Sequence, residues 1–217
     1  MKPIFTNLIL IPISIIFLTN SALADYKTGI SLHKQQQYTL ALAEFTTAAN
    51  DGHRLAQYML GVYYSAGHAV DADQQIAKSW YEKSANQNYS YAQNNLGNFY
   101  ATGRGDTELD YDIAIFWYKK AAAQGDMEAV YNLGQMYEFG FGYAINIPRA
   151  IEKYTMAGAL AHADAQYRLA LIYAYGKGGL DIDYNLAKTW LHKAAENGNE
   201  DALKTLRELI SMGFIKG

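Results

Sequence analysis

The stretch "AQNNLGNFYATG", Ala92–Gly103, carries Ala, Leu and Tyr at offsets 0, 4 and 8, with a glycine directly after the leucine. It recurs as "AQYMLGVYYSAG" from Ala56, "AVYNLGQMYEFG" from Ala129 and "AQYRLALIYAYG" from Ala165. The leading alanines stand 36, 37 and 36 residues apart, and a further 37 residues reaches Ala202 in "ALKTLRELI". Each copy has a second half: "AKSWYEKSA" from Ala77, "AIFWYKKAA" from Ala114, "AIEKYTMAG" from Ala150 and "AKTWLHKAA" from Ala187. "ALAEFTTAA" from Ala41 is the second half of a leading copy. A fixed period in the mid-thirties, with both halves patterned as helices, defines an all-α solenoid of antiparallel helix pairs, about five repeats long.

Within the first half, offsets 0, 4 and 8 read as one helical stripe. On that reading Tyr64, Tyr100, Tyr137 and Tyr173 belong to the core. The residue after the leucine is Gly61, Gly97, Gly134 or Ala170. A mid-helix glycine costs roughly 1 kcal/mol against alanine, so its recurrence implies a neighbouring backbone too close for a side chain. In the second half, Trp80, Trp117 and Trp190 read as anchors between successive pairs. The third copy has Lys153 there, which predicts a looser or more exposed groove.

Many fixed offsets resemble the Sel-one-like repeat (SLR) family, a relative of the tetratricopeptide arrays. The family pattern A-x-x-x-L-G-x-x-Y-x-x-G-x-G, a bridge, then A-x-x-W-Y-x-K-A-A-x-x-G, is met nearly in full from Ala92 to Gly125. The resemblance covers roughly residues 25–210. It implies a right-handed α-solenoid superhelix that binds other proteins, often in bacterial envelope or host-contact settings. The organisation expected is a capping repeat over 25–52, full repeats over 56–88, 92–125, 129–161 and 165–198, and a capping helix over 199–217.

The first residues read as an export signal, 1–24: Lys2, an apolar run from Leu8 to Leu18, then Ala22-Leu23-Ala24 as the small-x-small cleavage site. The apolar run is shorter than the roughly 20 residues of a membrane span. The mature chain is therefore expected to be exported, periplasmic or fully secreted, with no membrane span. The absence of cysteine excludes thiol catalysis, disulfides and cysteine-ligated zinc. A net charge of −3 gives no electrostatic reason to expect nucleic acid.

No catalytic motif breaks the repeat, and no enzyme, cofactor or metal site is expected. Asp73, Asp110, Asn146 and Asp183 stand four before each second-half alanine, where an N-cap belongs. His33, His53, His68, His162 and His192 read as surface or loop residues. Arg104-Gly105-Asp106 spells an adhesion tripeptide. Gly105, with Gly103 before it, aligns with the glycines of the sister turns, so the tripeptide reads as punctuation between helices.

In the architecture the resemblance implies, first helices line the concave side. The non-core offsets there are Tyr58, Asn94, Tyr131 and Tyr167; Met59, Asn95, Asn132 and Arg168; and Asn98 with Gln135. Rigid aromatics, amides and a guanidinium suit a protein or peptide partner. For Tyr58, Tyr131 and Tyr167 the alternative is that they extend the core. The expected function is a monomeric, non-catalytic adaptor. The alternatives are a glycan-related binding or hydrolytic protein of the envelope, or a secreted host-contact factor.

Overall fold

The computed structural model describes residues 13–215. Lys2 and the start of the apolar run of the expected export signal lie outside the described residues. Eleven α-helices and one short 3-10 turn, with no strand, make up the regular structure among the described residues. They are α1 (Ile13–Lys34), α2 (Tyr38–Asn50), α3 (Arg54–Ala66), α4 (Gln74–Asn86), α5 (Ser90–Thr102), α6 (Tyr111–Ala122), α7 (Met127–Phe139), α8 (Ile147–Ala159), α9 (Ala163–Tyr175), α10 (Tyr184–Glu196) and α11 (Glu200–Ser211). The 3-10 turn, Lys177–Gly179, follows α9.

The chain divides into two compact units, one ending at Ala92 and one beginning at Gln93. In the first, α1 pairs with α2 and α3 with α4, and α2 packs on α3. Its core holds Ala22, Ala41, Phe45, Ala56, Leu60 and Tyr63. In the second, α7 pairs with α8 and α9 with α10, while α6 packs on α7, α8 on α9 and α10 on α11.

Local chemistry sets the helix ends. The Oδ1 atoms of Asp73, Asp110, Asn146 and Asp183 accept from the backbone N–H of Ile76, Ile113, Arg149 and Leu186 at 2.9–3.0 Å. Each such cap contributes about 1 kcal/mol. Gly103, at φ +66°, closes α5 in the left-handed conformation, so the tripeptide that follows belongs to a turn, as its alignment indicates.

The core stripe differs from the expected one. Offset 7, namely Tyr63, Phe99, Met136 and Ile172, is buried, whereas Tyr64, Tyr100 and Tyr173 of offset 8 are only half-buried. At 3.6 residues per turn, offset 7 lies about 20° from the leading alanine and offset 8 about 80°. The stripe therefore centres between offsets 7 and 4, and the offset-8 tyrosines sit on its flank. Tyr137 alone of that column is buried, stacked on Tyr143 with ring centres 4.4 Å apart.

The repeated glycine also has a different cause. A Cβ on Gly61, Gly97 or Gly134 would stand 2.5–2.6 Å from the ring of Tyr81, Tyr118 or Tyr154 in the paired second helix. An inserted aromatic ring, rather than an approaching backbone, demands the missing side chain. Where the small residue is Ala170, the ring position is taken by Leu191, and both lie in one buried cluster. Gly29 and Phe45 repeat the arrangement between α1 and α2.

A second buried column was not anticipated. Gln57, Gln93 and Gln166 directly follow the leading alanines and are almost fully buried. Gln57 and Gln166 donate to the backbone carbonyls of Ala49 and Gly158 at the end of the preceding helix. The three accept from Gln87, Gln124 and Asn197, 30–31 residues later at the end of the paired second helix. Gln57 and Gln166 thus latch their first helices to the second helices before and after them, and Gln93 latches α5 to the end of α6. The third repeat has Val130 instead and lacks the latch.

Candidate interaction face

The first-helix face of the second unit is built from α7, α9 and the residues of α5 from Gln93 onward. Its polar side chains form a ladder between repeats. Asn132 is buried and donates to Asn94 at 2.9 Å, and Asn94 is buried too. Asn98 accepts from the Tyr118 hydroxyl at 2.6 Å. Gln135 donates to the Tyr131 hydroxyl at 3.1 Å, and Tyr131 stacks on His162 at 4.7 Å. The Tyr167 hydroxyl meets Thr205 at 3.0 Å.

This placement divides the expected site residues. Asn94 and Asn132 are committed to one another across the repeat boundary, which corrects the expectation that they face a partner. Burying an amide without a partner costs about 1–3 kcal/mol, so the pair holds register between α5 and α7. Asn95, Asn98, Gln135, Tyr131, Tyr167 and Arg168 remain half-exposed. Asn95 makes no side-chain hydrogen bond among the described residues. The Arg168 guanidinium lies 5.1 Å from the Phe139 ring centre and beside the Tyr131 hydroxyl; it feels the Glu138 charge but forms no salt bridge with a carboxylate among the described residues. An open hollow of about 600 Å³, lined by Asn98, Thr102 and Arg104, adjoins the end of α5.

In the first unit, Tyr58 and Met59 are half-buried. Tyr58 belongs to an aromatic group with Tyr81, Tyr89 and Tyr91, at centre distances of 5.1–6.3 Å. Met59 packs on the core of that unit. The expectation of free groove side chains thus fails for Met59, which contributes to packing.

The second unit also holds an ion pair with a buried carboxylate and a partly exposed lysine. Glu138, 5% exposed, accepts from the Tyr154 hydroxyl at 2.8 Å and from Lys177 at 2.7 Å. Lys177 lies in the 3-10 turn after α9, so the contact bolts one repeat to the next.

The histidines lie in loops or at the surface, apart from half-buried His33 in α1, but four of them have capping or packing roles that the sequence reading did not indicate. His53 and His162 cap α3 and α9, accepting through Nδ1 from the N–H of Ala56 and Ala165 at 3.3 Å. Asp126 and Asn199 do the same for α7 and α11. A ring accepting at Nδ1 is neutral with its hydrogen on Nε2, and in His162 that hydrogen points to Glu128 at 3.1 Å. Their electrostatics diverge. Glu128, helped by Asp164, holds His162 above the usual histidine value against its burial. Burial, then Arg54, pushes His53 below it. In an NMR titration the two C2–H resonances are expected to titrate on opposite sides of the ordinary histidine midpoint, and Glu128→Gln lowers the His162 midpoint alone. The raised His162 contributes stability below the unfolded-state pKa that is lost as pH rises through its folded value. The depressed His53 costs stability as pH falls below the unfolded-state pKa. A shared midpoint would contradict the Glu128 contact.

In the first unit, His33 and His68, expected at the surface or in a loop, enclose Tyr63 together with Tyr38, His33 from α1 and His68 from the loop after α3. His33 Nδ1 lies 2.8 Å from the Tyr63 hydroxyl, and His68 stacks on Tyr38. Among the described residues no group of three or more acids and histidines could hold a metal ion, and no helix is long and apolar enough to cross a membrane.

The Sel1 repeat pattern matches residues 54–89, 90–126, 128–162 and 163–199, well over half of the chain. This chain belongs to the Sel1 repeat family. A Sel1 repeat protein from Oxalobacter formigenes is 32% identical, with a TM-score of 0.79 over 88% of this chain and 78% of that one. The protective antigen c5321 of uropathogenic Escherichia coli, described as displaying an SLR fold, is 28% identical, with a TM-score of 0.73. That match covers 90% of this Sel1 chain and 44% of the antigen. Immunity protein Pa5087 from Pseudomonas aeruginosa, at 20% identity and a TM-score of 0.56 over 83% of this chain and 67% of that one, shares the fold. No curated protein matches the chain. Sel1 repeat proteins generally mediate protein–protein interaction, and their fold is typically a non-catalytic scaffold.

Proposed function

We propose that this Sel1 protein is an exported, non-catalytic adaptor that binds a protein or an extended peptide on the first-helix face of its second unit. One observation carries the reading. Asn95, Asn98, Gln135 and Arg168 stay half-exposed along successive first helices, while Asn94, Asn132 and Glu138 beneath them are buried and hydrogen-bonded. The buried layer fixes the spacing, and the exposed layer offers amides for a peptide backbone and a guanidinium for a carboxylate. Rigid tyrosines beside them lose little entropy on contact.

Export rests on the sequence of residues 1–24, and cleavage after Ala24 would begin the mature chain at Asp25. The periplasm is the proposed location.

The test uses the mature protein and an Asn95→Ala/Gln135→Ala/Arg168→Ala variant, both immobilised against envelope extract. A partner retained by the first and lost from the second, with the melting temperature unchanged, supports the face. The same proteins retained by both would remove it. N-terminal sequencing of the periplasmic fraction tests export, and a chain found in the cytoplasm beginning at Met1 would reject it.

A further inference from the structure

The third repeat lacks the tryptophan of the others, and the space is open. In the sister repeats, Trp80, Trp117 and Trp190 are half-buried, and a lysine three residues on covers each ring. Lys83, Lys120 and Lys193 stand 3.7, 5.0 and 4.5 Å from the ring centres. In the third repeat this pair becomes Lys153 and Met156, so the ring is gone and the cation has moved to its place. A cavity of about 300 Å³ opens there.

Its lining shows what the cavity is shaped for. Trp190 rests beside Gly158 and Leu169: a Cβ on Gly158 would stand 3.6 Å from the indole and 3.7 Å from that leucine. The residues one repeat earlier are Ala122 and Leu133, and both line the cavity. Val130, which replaces the latching glutamine, makes the floor apolar where the sister repeats have a buried amide. Lys119 and Lys153 stand at its edge with Tyr137 and Met156. Lys153 contacts the exposed Glu152 at 2.8 Å, a pairing worth little in water. The Tyr137 hydroxyl accepts from Arg149, adding positive charge on the same side.

We propose that this vacant socket, formed by α6, α7 and α8, receives a tryptophan side chain presented by a partner polypeptide between acidic residues. The floor is a tryptophan seat by its equivalence to that of Trp190. The volume suits an indole, and the two lysines select carboxylates beside the ring. The site uses none of Asn95, Gln135 or Arg168, so it stands independently of the first-helix face.

The probe is a short fluorescein-labelled peptide carrying one tryptophan flanked by glutamates, followed by fluorescence anisotropy on the full chain. Binding is expected, and Trp→Ala in the peptide weakens it by more than about tenfold. Lys153→Trp fills the socket, raises the melting temperature and weakens binding to the same extent. Met156→Glu places a repelling acid at the half-exposed mouth, and so tests the site even if the tryptophan variant folds poorly. Lys119→Met/Lys153→Met weakens binding several-fold and flattens its salt dependence. Asn95→Ala/Gln135→Ala/Arg168→Ala leaves it unchanged. Absence of binding, or binding indifferent to both Lys153→Trp and Met156→Glu, overturns the proposal. So does competition by neutral indole equal to that by the acidic peptide, which would make the cavity a site for small apolar molecules.

Discussion

Gly134→Ala is expected to lower the stability of this Sel1 chain by about 3 kcal/mol, although alanine is the better helix former by roughly 1 kcal/mol. The new methyl would stand 2.5 Å from Cε1 of Tyr154. That ring is fully buried, and its hydroxyl is tied to Glu138, so it cannot retreat without breaking a second contact. Chemical denaturation measures the loss. The fourth repeat already carries the alternative pair, Ala170 with Leu191. Gly61→Ala should therefore be destabilising alone and largely recovered in Gly61→Ala/Tyr81→Leu. If the double variant were as unstable as the sum of its parts, the glycine would be serving something other than the ring.

Lys177→Met should cost a similar amount, about 3 kcal/mol, despite changing a partly exposed side chain. It leaves the Glu138 side chain, 2% exposed, with the Tyr154 hydroxyl as its one remaining hydrogen-bond partner among the described residues and the more distant Arg168 as its nearest compensating charge. Stranding one member of a buried ion pair typically costs about 3–5 kcal/mol, whereas replacing both members by apolar groups is often close to neutral. Glu138→Met/Lys177→Met should accordingly recover much of the loss. Burial, with the Glu138 charge next in weight, keeps the Tyr154 hydroxyl protonated far above its usual range, so it remains a donor at every working pH. A Lys177→Met variant as stable as the parent would mean that the pair contributes nothing to joining α7 to the turn after α9.

Much of the fold was legible in the repeat itself. The 36–37-residue spacing gave the helix pairs, and four acidic or amide residues at one offset gave the caps that the structure shows. Lys153 in the tryptophan column correctly signalled open space in the third repeat. The errors arose where helical geometry had to be resolved finely. Offsets 7 and 8 both approximate two turns, and assigning the stripe to tyrosine at offset 8 missed the more deeply buried residue beside it. The histidine caps were missed because histidine is rarely read as an acceptor, though the shared offset of His53, Asp126, His162 and Asn199 was available as a signal.

The candidate face was legible as a list and not as a set of roles. Periodicity placed Asn94, Asn95, Asn98, Asn132 and Gln135 on one side of their helices. It could not distinguish an amide that faces solvent from one that bonds to the next repeat, because the partner lies some 38 residues away, as in Asn94–Asn132. The buried glutamines posed the same difficulty, being polar at a position whose burial depends on the helices before and after.

The sequence by itself determined the repeat unit, its two helices and their ends, because period, caps and left-handed glycines act within a few residues of the chain. Only the tertiary structure decided why glycine recurs, which amides are structural and what occupies the missing tryptophan's place. Those depend on side chains roughly one helix or one repeat apart: a tyrosine ring against Gly134, Asn132 against Asn94, and empty space above Val130 and Leu133.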